Sequence, residues 1–331
     1  MFSAAKPANG RILVVRLGAM GDIIHTLPAV ASLKHSFPGC RLTWAVEPRW
    51  APLLEDNPFL DELLLFRRDG PAGWLENWRG LRAHHYDFAV DFQGLIKSAL
   101  VASAARPGRL FGYHQSQLRE RTAALFYSDK TESRSTHIVD RHLDLAASAG
   151  AASAVRAFPL PAGRPEGDLP PEFVLASPLA GWKGKQWPIE HYRALAALVR
   201  RECGIPLVLD GPPSALPELA EVPEALPHGS GIPGLIHATR RAAAAVGVDS
   251  GPLHLAAALG KPGVAIFGPT DPARNGPYGD SMRILRSPGA MTTYERSTSV
   301  AESMAAISPG EVFEALRTVL GERRRAADCL T

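Results

Sequence analysis

Four stretches of the chain hold residue types suited to group transfer, each beside a run that reads as a strand. The first is RLGAMGDIIHTLPAV, residues 16–30. It follows an apolar run of buried-strand type at residues 12–15, and Gly18 and Gly21 open what reads as a helix. A phosphate would suit such a helix start. Here a carboxylate, Asp22, stands where that anion would sit and would repel it. Asp22 reads as a helix cap, since Asp interacts well with the positive end of a helix dipole. It reads equally as a base that takes a proton from a hydroxyl. The two readings are compatible in part, because the neighbouring glycines let a ligand approach closely.

The second stretch is VGVDSGPLHLAAALGKPGVAIFGPTDP, residues 246–272. A strand ends at Val248, Asp249, Ser250 and Gly251 make a turn, and Pro252 favours a helix start. Free N–H groups and a hydroxyl there suit a diphosphate, and His254 can add a donor. Asp249 argues against an anion unless its side chain points away to cap the backbone. The third stretch is SPLAGWKGKQWP, residues 177–188, where Lys183 and Lys185 lie among glycines and a lysine can meet a phosphate as a point charge. A solvated loop with surface lysines is the plainer reading of that stretch alone. The fourth runs from Asp91 to Tyr127. Gln93, Gly94 and Lys97 follow a strand end, and Arg106, Arg109, His114, Arg119 and Arg121 follow them. Such a run is either a solvated face or the seat of an anionic acceptor.

A nicotinamide-binding reading fails on the first loop. GAMGD is not GxGxxG, and Asp22 opposes a pyrophosphate, although Glu47 ends the second strand where a ribose diol would be held.

These loops need strands to carry them. Residues 11–17, 42–46 and 88–92 read as strands in the first half, with a helix at 22–36 that Pro28 is expected to bend. A Pro/Gly-rich stretch at 159–172 reads as a linker. Strand patterns resume at 173–178, 206–210, 243–248 and 263–267, with a helix at 189–203. SPGE at 308–311 is a capping box that starts a last helix, expected to end near Leu320 in a frayed tail. Strands alternating with helices imply parallel sheets, whose ligands bind at the carboxyl ends of the strands. The reading is α/β: two Rossmann-like domains, 1–165 and 166–331, facing a central cleft. No internal repeat is evident.

The 331 residues suit two such domains. A formal net charge of +3 is too small to argue for nucleic acid as a partner. Three cysteines, Cys40, Cys203 and Cys329, fit neither a metal site nor a disulfide framework. With no bilayer-spanning apolar run and no signal-peptide pattern, the expected location is cytoplasmic, with a basic face available to an anionic membrane surface.

Taken in order, RLGAMGDIIHTLPA, VDFQGLIKSAL, QLRERTAALFY, KQWP and VDSGPLHLAAALGKPGVAIFGPTDP resemble the lipopolysaccharide heptosyltransferases, the inverting ADP-heptose-dependent enzymes of glycosyltransferase family 9. The resemblance spans residues 12 to about 320. It implies a GT-B fold with the acceptor on the first domain, the nucleotide sugar on the second, and the last helix, about 308–320, packing back on the first. It implies Asp22 as general base. It implies donor contacts from Gly181, Lys185, Asp249, Ser250, Gly251 and His254, and acceptor contacts from Gly21, Gln93, Lys97 and Arg119. The implied substrates are ADP-heptose and the Kdo of lipid A; no cofactor or metal is expected. A related transferase with another sugar or acceptor, a sugar-nucleotide epimerase and a non-catalytic binding protein are the alternatives. Two positions depart from the family pattern: Ala180 and Gly181 stand where hydroxyl residues are frequent, and Ala215 stands near a carboxylate that holds the donor ribose in some relatives.

Overall fold

In the computed structural model residues 10–293 and 295–328 are described; Cys329 lies outside them. The chain divides into two units after Pro161, inside the Pro/Gly-rich stretch. Each unit is built on one six-stranded parallel sheet.

The first sheet holds β1 (Arg11–Val15), β2 (Arg41–Val46), β3 (Glu62–Leu65), β4 (Phe88–Asp91), β5 (Arg109–Tyr113) and β6 (Asp129–Thr131), in the order β3-β2-β1-β4-β5-β6. Its helices are α1 (Met20–Ser36), α2 (Gly70–Arg82), α3 (Ile96–Ala104) and α4 (Ile138–Ser148). The central strands are buried apolar runs: Ile12, Leu13, Val14 and Val15 have no exposure at all. Helix α1 is continuous across Pro28, and the Ser32 hydroxyl bonds the Pro28 carbonyl at 2.7 Å.

The second sheet holds β7 (Val174–Ser177), β8 (Leu207–Gly211), β9 (Ala225–Gly229), β10 (Ala244–Val248), β11 (Gly263–Phe267) and β12 (Met282–Arg286), in the order β12-β11-β10-β7-β8-β9. Numbered within its own unit, this is the same order as the first sheet, although no repeat is evident in the sequence. Its helices are α5 (Ile189–Cys203), α6 (Leu216–Ala220), α7 (Ile232–Arg241), α8 (Gly251–Ala258), α9 (Pro272–Asn275), α10 (Glu302–Ala305) and α11 (Pro309–Asp328). In both units the loops that follow strands gather at one edge of the sheet, which is where parallel sheets hold ligands.

Helix α11 is longer than expected. It runs through Asp328, beyond the expected end near Leu320, because Glu, Arg and Ala in the tail are strong helix formers. It also puts Val312, Leu316, Val319 and Leu320 in the core of the second unit, with Tyr192 and Trp187. The indole N–H of Trp187 donates to the Ile307 carbonyl at 2.8 Å, which ties the loop before α5 to the turn before α11.

The expected capping box opens α11: the Glu311 carboxylate accepts from the Ser308 N–H at 2.8 Å, and the Glu311 N–H donates to the Ser308 hydroxyl at 3.2 Å. The Ser308 hydroxyl and amide hold the Glu311 carboxyl below its usual value. A depressed acid stabilises the fold above its unfolded pKa, about 4.3, and loses that contribution as the pH falls through the folded value. Ser308→Ala is expected to cost about 1 kcal/mol at neutral pH. Urea unfolding at pH 7 and at pH 3 should show the difference shrinking in acid.

Candidate functional site

In the first unit Asp22 sits in the first turn of α1. It lies three positions inside the helix after Ala19, rather than at the cap itself. One carboxylate oxygen accepts from the Ala19 N–H at 3.2 Å, and the other meets the Arg16 guanidinium at 2.7 Å. Arg16 is buried and donates a further bond of 2.7 Å to the Phe92 carbonyl, just past β4. The side chain of Asp22 nevertheless stays 46% exposed. It is therefore anchored on two sides and open on a third. Gly21, beside it in the helix, is buried. At Gly18 a Cβ would stand 2.7 Å from the Trp50 indole nitrogen, so this loop passes close under Trp50 only because glycine is there.

Of the residues expected on the acceptor side, Gln93 is the one bonded to this loop. Asp91, fully buried at the end of β4, accepts from the N–H groups of Gln93 and Gly94 and from the hydroxyls of Ser98 and Tyr127. Burial pushes its carboxyl up, against those four bonds. Gln93 in turn accepts from the Leu17 N–H at 2.9 Å, which joins the β4 loop to the Asp22 loop. Lys97, in the first turn of α3, reaches Glu47 at 3.4 Å. Burial, and then the Arg68 guanidinium, push Lys97 below the usual lysine value, while Glu47 pulls the other way. Glu47 also pairs with Arg49 and Arg68, so its oxygens are committed and cannot grip a ribose diol. Arg119 is exposed next to Glu120, whose carboxylate accepts the Ile96 N–H at the start of α3. The other basic residues of that run are sorted differently. Arg109 begins β5 and pairs with Asp129, and Arg106 precedes it, so both lie at the opposite edge of the sheet.

In the second unit the turn after β10 resolves the objection raised by Asp249. Its side chain does not face an anion as a bare charge: it is 6% exposed, pairs with Lys185 at 2.6 Å and lies 3.3 Å from the His254 ring. Burial would raise its pKa, but the bond from His254 and the charge of Lys185 outweigh that and hold it well below the carboxylate range. Lys185 has three donors and gives one to Asp249. Ser250 precedes α8 with its hydroxyl buried and unpartnered among the described residues, as is that of Thr270 beyond β11. The Gly251 and Leu253 N–H groups lie in the first turn of α8, outside the helical ladder. Gly181 is exposed, and a Cβ there would meet nothing within 4 Å. Ala215 lies in the turn between β8 and α6.

Two features escaped the sequence reading. One is Arg16, hidden inside an apolar run, which orients Asp22. The other is a buried cluster at the ends of β8 and β9: Asp210 accepts from the Ser230 hydroxyl at 2.7 Å and meets His228 at 2.7 Å. The bond to Asp210 raises the His228 pKa. No local spacing signals it, since Asp210 and His228 come from different strands. Among the described residues no three His, Cys, Asp or Glu side chains group as a metal site would, and no helix is long and apolar enough to cross a membrane.

Two Rossmann-like units, one presenting an open carboxylate and the other a Lys185–Asp249 pair beside a helix start, have the fold of a GT-B glycosyl-transferring enzyme. Residues 74–304 match glycosyltransferase family 9 (heptosyltransferase), and the chain belongs to that family. It is 30% identical over 315 residues to lipopolysaccharide heptosyltransferase 1 of Escherichia coli O18:K1:H7, covering 84% of this chain and 92% of that one. It is 32% identical to lipopolysaccharide heptosyltransferase 1 of Pseudomonas aeruginosa, covering 84% of each. Among solved structures it superposes on the E. coli heptosyltransferase WaaC with ADP at a TM-score of 0.76, with 26% identity, covering 95% of this chain and 99% of that one.

Lys185→Ala is expected to weaken ADP binding by at least about tenfold in calorimetry, because it removes the charge that backs the anion turn. It also leaves buried Asp249 with His254 alone. Half of a buried pair removed costs about 3–5 kcal/mol, and the remaining histidine places this case near the lower figure. Unchanged ADP affinity would make Lys185 a structural counter-ion only.

Proposed function

We propose that this enzyme transfers L-glycero-D-manno-heptose from its ADP derivative to a Kdo residue of lipid A, in lipopolysaccharide inner-core assembly. The observation that carries the mechanism is the state of Asp22, fixed by Arg16 and the Ala19 N–H yet open to a substrate. The names of the relatives support the sugar and the pathway. The basic groups around Glu47 support an anionic acceptor, bearing carboxylate and phosphate, at the cytosolic face of the membrane.

The donor diphosphate lies at the start of α8, against the Gly251 and Leu253 amides, the Ser250 hydroxyl and Lys185. As the C1–O bond to ADP breaks, positive charge builds on the sugar ring and negative charge on the diphosphate. Lys185, held in place by Asp249, and the helix start stabilise that negative charge. The acceptor hydroxyl forms its bond to C1 from the opposite face, its proton passes to Asp22, and the anomeric centre inverts. Asp249 is a positioning residue here, acting through Lys185 and His254.

Asp22→Asn keeps an oxygen for the Ala19 N–H but loses the proton acceptor and the Arg16 ion pair. Turnover with ADP-heptose and Kdo-lipid A is expected to fall at least about a hundredfold with ADP affinity nearly unchanged. Near-normal turnover would return Asp22 to a helix-capping role.

The cationic and amide groups at α8 meet the leaving-group charge without a divalent ion. Chelator-treated enzyme is therefore expected to keep its activity in EDTA. Loss of activity that magnesium restores would overturn that part of the mechanism.

A further inference from the structure

We infer that the groove between α2 and α3 holds a fatty-acyl chain of the lipid acceptor, and so reads the tail of the substrate as well as its sugar. The inference rests on the reading of the acceptor as an acylated, phosphorylated glycolipid. The groove has a volume of about 760 Å³, and its walls include Phe66, Trp74, Trp78, Leu81, Leu100 and Val101. Trp74 is 56% exposed, Trp78 49% and Leu100 51%, so three large apolar side chains of the lining are open to solvent. With nine residues, α3 gives the groove a length of about 14 Å, the scale of a fatty-acyl tail.

Continuity with the acceptor side identifies the occupant. Lys97 and Glu120 line the groove where α3 begins, and Lys97 also joins the cationic cluster on Glu47. A molecule whose anionic head rests on that cluster has its apolar part at the mouth of the groove. Cations lie on aromatic rings along it: the Lys97 ammonium is 5.3 Å from the Phe66 ring centre and the Arg82 guanidinium 3.8 Å from that of Trp78. Arg82 also bonds the Ala104 carbonyl at 3.2 Å, bridging α2 to the end of α3. Tryptophan paired with a cation is the chemistry of a surface that meets both acyl chains and anionic head groups.

The test compares acceptor carrying its acyl chains with the same phosphoglycan after their removal, in wild type, Leu100→Glu and Trp78→Gln. The wild-type KM is expected to be at least about tenfold lower for the acylated acceptor, and each variant should bring the ratio to about one. Leu125→Glu, at a 79% exposed leucine outside the groove, should keep the wild-type ratio. A second readout needs no turnover: an acceptor with brominated chains should quench wild-type tryptophan fluorescence, and Leu100→Glu should abolish the quenching.

Equal KM values for the two acceptors in wild type, or a ratio that survives both groove substitutions, would overturn the inference. So would an equal loss in Leu125→Glu, which would indicate general adsorption to lipid. Quenching without heptose transfer would keep the groove and overturn the proposed function. Transfer without quenching and without acyl preference would do the reverse.

Discussion

A buried carboxylate must be paired, and the second unit is arranged around that requirement at Asp249. Removing an ionised group from water costs several kcal/mol unless partners replace the water. Here the partners are Lys185, from the loop after β7, and His254, from the first turn of α8. Two loops and a helix are thus fixed by one side chain. The arrangement leaves the remaining lysine donors, the Ser250 hydroxyl and the helix amides at the same edge of the sheet. In the proposed function, an acidic residue that would repel a diphosphate if it were bare instead holds the cation that would attract it.

The first unit uses the same device for a different end. Asp91, at the end of the corresponding strand, is also buried, but it is satisfied by two amides and two hydroxyls. With no lysine against it, it builds a rigid loop and not an anion site. The carboxylate proposed as the base there is Asp22, which keeps an open side because Arg16 and a backbone N–H occupy only part of it. Burial and pairing therefore separate three aspartates, two at strand ends and one in the first turn of a helix, into a lysine holder, a loop anchor and a candidate base.

What the sequence showed and concealed follows from the same physics. The central strands were legible because both faces are buried and their residues are continuous apolar runs, as in β1, β10 and β11. β3, β5, β6, β9 and β12 were missed: four of them are the sheet edges, partly exposed and mixed in residue type, as in Ala225–Gly229, and β5, though buried, opens on Arg109 and contains Gly112, so it makes no continuous apolar run. Helix α5 was legible to the residue, since Tyr192, Leu195, Ala196 and Val199 mark its buried face. In the site, Asp22 and the turn at Asp249 to His254 were visible as local motifs. The Lys185–Asp249 pair was not, because 64 residues separate its members. Arg16 was hidden because a charged residue at the end of an apolar run carries no sign of its partner. Arg109 was misleading because charge alone does not say which edge of the sheet a residue occupies.

The bonds around Asp91 also have a mechanical meaning. Ser98 in α3, Asp91, the loop amide of Gln93, the Gln93 side chain and the Leu17 N–H form an unbroken line of short bonds. Its far end is the backbone of the loop that carries Asp22. The start of α3, the loop after β4 and the Asp22 loop are therefore tied to one another by hydrogen bonds. In the proposed function, a substrate that touched α3 and the Asp22 loop together would meet two segments already held in one arrangement, with less ordering left for binding to do.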